Sequence, residues 1–156
     1  MKALSVDDEQ PARSTIRLLA DWTLYDIDEV LEAETVEQAI TCLRRSRPQI
    51  IITDIRMPQH DGLELMQWLH QNQPQAQVIV ISAYNEFEYA ISAMRLGALD
   101  YLLKPIQPAQ LDAVLRRAAE KLRIPAPPKP DDRQVPDADE RILLALGAEG
   151  DAELPV

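Results

Sequence analysis

The 156-residue chain holds a single cysteine, Cys42, and 16 Lys+Arg against 26 Asp+Glu, a formal charge of −10. One thiol closes no internal disulfide, which suits a reducing compartment. The shortage of cations argues against nucleic acid or an anionic membrane as a partner of this chain itself, since both are held through Lys/Arg contacts to phosphate. No apolar run approaches the roughly 18 residues of a membrane span. Asp7 and Asp8 interrupt the N-terminus before a signal-peptide core could develop. These absences point to a cytoplasmic protein with no membrane partner. At about 100 to 200 residues per domain, the length suits one domain and a short appendage.

What is present is an alternation of two periods. Ala3–Val6, Ile50–Thr53, Val78–Ile81 and Tyr101–Leu103 are short apolar runs without alternation, as strands buried on both faces require, and Glu29–Ala33 is a more polar fifth. Between them apolar residues recur at helical spacing. The stripes are Ala12, Ile16, Leu19 and Ala20; Val36, Ala39, Ile40 and Leu43; Leu65, Met66 and Leu69; Phe87, Ala90, Ile91 and Met94; and Leu111, Val114, Leu115, Ala118, Ala119 and Leu122. Pro11 and Pro108 suit first helical turns, Thr35 with Gln38 reads as a capping box, and Gly97 sits where a helix should stop. Five strand-helix units predict an α/β fold with a doubly wound parallel sheet, whose site lies at the carboxyl ends of the strands.

Beyond Leu122 the character changes. Residues 125–130 hold four prolines, which favours an extended linker. Residues 137–146 could form about two helical turns before Gly147, a length that is marginal in isolation. The predicted organisation is therefore a domain over 1–122, a Pro-rich linker over 123–136, and a tail or the start of an output segment over 137–156. The charge divides between these parts: residues 1–124 hold 18 acids and 13 bases, and residues 125–156 hold 8 and 3.

The polar residues at the strand ends carry the functional signal. Singly, each has an ordinary reading: Asp7 and Asp8 as helix-cap and dipole partners, Asp54 as a loop cap, Ser82 as a strand end, Tyr101 as core and Lys104 as a solvated lysine. A doubly wound sheet, however, brings the ends of its first, third and fifth strands together. Three crowded carboxylates repel and call for cations, for which a hard divalent ion such as Mg2+ and Lys104 are suited. Such a site is built for phosphoryl chemistry on a carboxylate, with Ser82 as a hydroxyl donor.

These residues form blocks that resemble the receiver domains of two-component response regulators: Val6-Asp7-Asp8-Glu9; Ile52-Thr53-Asp54-Ile55-Arg56-Met57-Pro58 followed by Asp61-Gly62; Ile81-Ser82-Ala83-Tyr84; and Gly97 through Tyr101 to Lys104-Pro105. The likeness covers residues 1 to about 122. It implies a flavodoxin-like, five-stranded sheet of order 2-1-3-4-5 with five helices. It also implies Asp54 as phosphoacceptor, and Asp7, Asp8, Asp54 and the Arg56 backbone carbonyl as Mg2+ ligands. Ser82 and Tyr101 become switch residues, Lys104 the phosphate contact, and Lys104-Pro105 a cis peptide. The phosphodonor implied is a sensor histidine kinase, and the domain a signalling switch rather than a multiple-turnover enzyme. A haloacid-dehalogenase-like phosphatase would need a second acid where Arg56 stands.

Residues 84–90 and 96–106 look most like receivers joined to AraC-type (YesN-like) DNA-binding domains, and somewhat like those joined to LytTR-type domains, which implies transcriptional control through an attached output domain. A stand-alone receiver acting by protein contacts only is the alternative. Asp100 with Arg116, Arg117 and Lys121 offers opposite charges for a homodimer through the fourth helix, fifth strand and fifth helix, although charges on a helix are more often only a solvated face.

Overall fold

The computed structural model describes residues 1–57, 61–83 and 86–123; the linker from residue 124, the tail and Tyr84 lie outside the described residues. Strands β1 (Lys2–Val6), β2 (Glu29–Ala33), β3 (Ile50–Asp54), β4 (Gln77–Ser82) and β5 (Asp100–Leu103) alternate with helices α1 (Gln10–Leu19), α2 (Val36–Ser46), α3 (Gly62–Asn72), α4 (Phe87–Arg95) and α5 (Pro108–Arg123). Every neighbouring pair of strands is parallel, in the order β2-β1-β3-β4-β5, which is the predicted doubly wound, flavodoxin-like sheet. Among the described residues no helix is long and apolar enough to cross a membrane.

The two faces of the sheet are filled by alternate residues of the same strands, as a period of two demands. Ala3, Ile50, Ile52, Ile79 and Ile81 pack with Ile16 of α1 and with Leu111, Leu115 and Ala118 of α5. Leu4, Val6, Ile51, Val78 and Val80 pack with Leu43 of α2, Leu65 of α3 and Met94 of α4 on the other face. All five β3 residues are buried, which explains its unbroken apolar run. Strand β2 is more polar because it is an edge, paired only with β1, and its Glu29 and Glu32 are exposed. There the Arg17 guanidinium donates to the Val30 carbonyl at 2.9 Å and to the Glu32 carboxylate at 2.7 Å.

Local signals explain most helix ends. Thr35 Oγ1 accepts the Gln38 N–H at 3.0 Å while Gln38 Oε1 accepts the Glu34 N–H at 2.9 Å, so the box closes one residue further out than its simplest form. Gly97 follows α4 with φ of 105°, a left-handed conformation that favours glycine. Two features depart from the periodicity. Phe87, in the first turn of α4, is 49% exposed, and Ala90, Ala93 and Met94 form the inward face instead. A short 3-10 helix, Trp22–Tyr25, follows α1 and buries Tyr25 on the α1/α5 side, with Asp26 beyond it paired to Arg123 at 2.9 Å.

Because α1 covers one face and α3 the other, the chain parts at the carboxyl ends of β1 and β3 and leaves a crevice there. Asp54 and Ser82 are not past the strands but are their last residues, still in register with Ile81 and Leu103 respectively. The loop after β3 is drawn tight: the Gly62 N–H donates to the Ile55 carbonyl at 2.8 Å, and Asp61 caps α3 by accepting from Leu63 and Glu64 at 3.1 Å. A Cβ on Gly62 would sit 2.6 Å from the Asp54 carbonyl oxygen and 3.0 Å from Ile55 Cα, both unyielding backbone. Gly62→Ala is therefore expected to lower stability by about 1–3 kcal/mol, the cost of forced overpacking. Urea denaturation checks this, and an unchanged midpoint would show that the loop yields freely.

Candidate functional site

The crevice gathers residues from three strand ends. Asp7 and Asp54 are buried, Asp8 is exposed, and one carboxylate oxygen from each lies within 4.8 Å of the others. Lys104, from the end of β5, places Nζ 3.3 Å from Asp54 Oδ2 and 3.6 Å from Asp7 Oδ2. The backbone holds these groups in place. Asp7 accepts the Glu9 N–H on Oδ1 at 3.0 Å, and its own N–H donates to the Ala33 carbonyl at 3.1 Å. Asp54 ends a fully buried strand, and the Arg56 N–H points at its Oδ1 from 3.4 Å.

Burial pushes the Asp54 carboxyl up to about 6, helped by the Asp7 charge and opposed by Lys104. Asp7 is raised for the same first reason, with the Glu9 N–H and then Lys104 pulling the other way. Burial disfavours the Lys104 charge too, yet the Asp54 and Asp7 carboxylates outweigh it and hold the ammonium above its ordinary range. One cation thus faces three carboxylates. The donor set is all hard oxygen and retains negative charge, which fits a divalent ion of the Mg2+ class. Bound there, such an ion would favour the ionised forms that burial resists.

The other predicted residues lie around this cluster. Ser82 ends β4 beside Lys104, whose N–H donates to the Ser82 carbonyl at 3.0 Å. Its Oγ is buried and has no hydrogen-bond partner among the described residues. A buried hydroxyl is normally satisfied, so Ser82 fits an incoming acceptor group. The Lys104–Pro105 peptide is cis. Tyr101 stands further back on β5, opposite Val80, and packs half-buried against the α2–α4 side of the core rather than against the carboxylates. Arg56 is exposed at the lip, its guanidinium over the Tyr89 ring. Asp100 and Arg117, which suggested an interface, pair with each other within the chain.

Sequence reasoning passed over Arg13. Its side chain is buried, donates to the Asp7 carbonyl at 2.7 Å, and meets Glu32 at 2.9 Å. It therefore ties α1 to the backbone of the acidic pair. The only advance signal was its position between Ala12 and Ile16, on the inward side of α1.

Comparisons with known proteins identify the family and agree with the fold. The family model described as the response regulator receiver domain matches residues 3–116. The chain is 32% identical over 121 residues to the transcriptional regulatory protein HptR of Staphylococcus aureus, covering 78% of this chain and 47% of that protein. It therefore spans about half the length of the curated relatives it matches. Among solved structures, the REC domain of AraT, a response regulator from Geobacillus stearothermophilus, is 41% identical with a TM-score of 0.74, over 78% of this chain and 95% of that one. The two component transcriptional regulator AraC from Clostridium phytofermentans ISDg is 29% identical with a TM-score of 0.74, over 79% and 95%.

The raised Asp54 pKa makes a stability prediction. Between the ordinary 3.8 and about 6 the unfolded chain ionises this carboxyl while the folded chain keeps the proton, so stability falls as pH rises through that window and levels off above it. The cost at neutral pH is about 3 kcal/mol, at 1.36 kcal/mol per unit. In metal-free buffer Asp54→Asn should exceed the parent in stability by up to about 3 kcal/mol at neutral pH, with the gap closing toward about pH 4. Urea midpoints across that range test it; a gap independent of pH would contradict the burial account.

Proposed function

The chain belongs to the response regulator receiver domain family, and on that premise we propose that Asp54 accepts a phosphoryl group from the phosphohistidine of a sensor histidine kinase and that the modified domain signals through an altered protein surface. The arrangement that supports this reading most is the Asp54 carboxylate at the end of β3, with Asp7 and Asp8 beside it and the Lys104 ammonium 3.3 Å away. An Asp54 oxygen attacks phosphorus. The new P–O bond forms as the P–N bond to imidazole breaks, and the departing nitrogen takes the electron pair. The carboxylate must be ionised to attack, a form that burial disfavours and that a bound divalent ion would favour.

Mg2+, held by Asp7, Asp8, Asp54 and the Arg56 backbone carbonyl, would supply charge neutralisation for the phosphoryl oxygens. Lys104 adds a fixed positive charge on the β5 side. Ser82 is the hydroxyl donor for the transferred group, and its movement toward the phosphoryl oxygens leaves room for Tyr101 to turn inward. The surface of α4, β5 and α5 changes in consequence, as a two-state equilibrium biased by new charge-assisted hydrogen bonds. In this reading the kinase docks at the apolar cleft beside Lys104, which is lined by Ala12, Ile16, Leu19, Pro105 and Ile106.

The proposed output is transcriptional control in the cytoplasm. The curated relatives named as transcriptional regulators are about twice the matched length, which is consistent with a receiver that works beside a further domain; in this reading the receiver spans residues 1–122, a Pro-rich linker 123–136, and a tail or the start of an output segment 137–156. DNA contact then belongs to the output domain rather than to this acidic chain. A homodimer through α4, β5 and α5 is part of this reading, and forming it with Asp100 and Arg117 would require the pair they make within the chain to be exchanged.

Incubation with Mg2+ and acetyl phosphate should add one phosphoryl group per chain, read by intact mass. Asp54→Asn should add none, and Lys104→Gln should slow the addition about a hundredfold or more, the scale for losing one preorganised donor. A parent chain that stays unmodified, or an Asp54→Asn chain that gains the adduct, would refute the assignment.

A further inference from the structure

We propose that Tyr89 is a positioning residue for the acidic pocket: its ring holds the Arg56 guanidinium away from Asp7, Asp8 and Asp54 and so keeps the pocket open to a divalent cation. The inference rests on the reading that this cluster takes Mg2+. The Arg56 guanidinium carbon lies 4.8 Å from the centroid of the Tyr89 ring. Yet Arg56 is rooted two residues from Asp54, with its N–H 3.4 Å from Asp54 Oδ1. Its side chain is exposed and has two competing destinations. One is an aromatic face, which attracts a guanidinium through the ring quadrupole. The other is a set of carboxylates that burial and mutual repulsion leave short of positive charge, and carboxylates are the geometric match for an arginine fork.

The platform is more fixed than the group it holds. Tyr89 is half-buried and packs against the core on the α2–α4 side, on a helix whose next residue, Ala90, is fully buried. The start of α4 is tied to the end of β4, where Glu86 accepts the Ala83 N–H at 2.9 Å. Met57, next to Arg56, belongs to the same core, which limits how far the loop can turn. The ring is therefore a fixed rest for an exposed cation. A guanidinium released from it would pair with the carboxylates and compete directly with Mg2+. An exposed stack of this type biases the two positions by about two- to fivefold.

Isothermal titration calorimetry of the full chain with MgCl2 tests this. Tyr89→Leu should weaken binding about two- to fivefold, the scale of the lost stack, while Tyr89→Phe, which keeps the ring, should retain parental affinity. In an Arg56→Met background, Tyr89→Leu should cause no further loss, because no guanidinium remains to be released. A general packing defect would not show that dependence, so a Tyr89→Leu loss of equal size with and without Arg56 would overturn the proposal, as would a Tyr89→Leu chain that binds like the parent. A parent chain that takes up no Mg2+ would instead refute the metal-site reading on which the proposal stands.

Discussion

The confinement of three carboxylates at one strand-end crevice is the constraint on which the rest of the molecule depends. Left to themselves, Asp7, Asp8 and Asp54 would separate into water. They are held by a β3 strand buried along its whole length, a hydrogen bond from Gly62 to Ile55 that closes the loop after β3, and an α1 helix anchored through the Arg13 guanidinium on the Asp7 carbonyl. Packing on both sheet faces thus supplies the force that opposes repulsion. What remains is partly offset by Lys104, whose ammonium lies within 4 Å of two of the three groups. The result is a carboxyl that titrates near 6 rather than near 4, a poised group rather than a merely solvated one.

The strap from β4 through α4 to β5 connects that poised group to the surface. Ser82 ends β4, Glu86 closes the short turn that follows, α4 stops at Gly97, and β5 then carries Tyr101 and delivers Lys104. Lys104, which meets Asp54, thus lies on the same stretch of chain as the exposed side of α4 and β5. Arg56 and Tyr89 add a non-covalent contact between the loop after β3 and the same helix.

Much of this was legible in the sequence because the signals were local. Runs such as Ile50–Thr53 declare a doubly buried strand by composition, and Thr35 with Gln38 declares a helix start by spacing. The convergence of Asp7, Asp8, Asp54 and Lys104 was also readable, since topology brings strand ends together. What escaped was decided by contacts between distant segments. Arg13 looks like any surface arginine until Glu32 and the Asp7 carbonyl are seen around it. Phe87 fits a helical stripe yet is half exposed, because Ala90, Ala93 and Met94 turn the inward face of α4. The Trp22–Tyr25 turn has too few residues to show a period, and nothing in the spacing of Arg56 and Tyr89 links an arginine to a ring more than thirty positions away.

The Arg17 guanidinium on the Val30 carbonyl has a consequence beyond the local hydrogen bond. An open parallel sheet ends in two rows of backbone groups that could recruit a further strand, from another chain or from a misfolded copy. On the β2 side, Arg17 occupies a carbonyl, and exposed Glu29 and Glu32 add charge to the rim. On the β5 side, the strand is only four residues long. One border is blunted by charge and the other by brevity, so the sheet is protected at both margins against templated growth by strand addition.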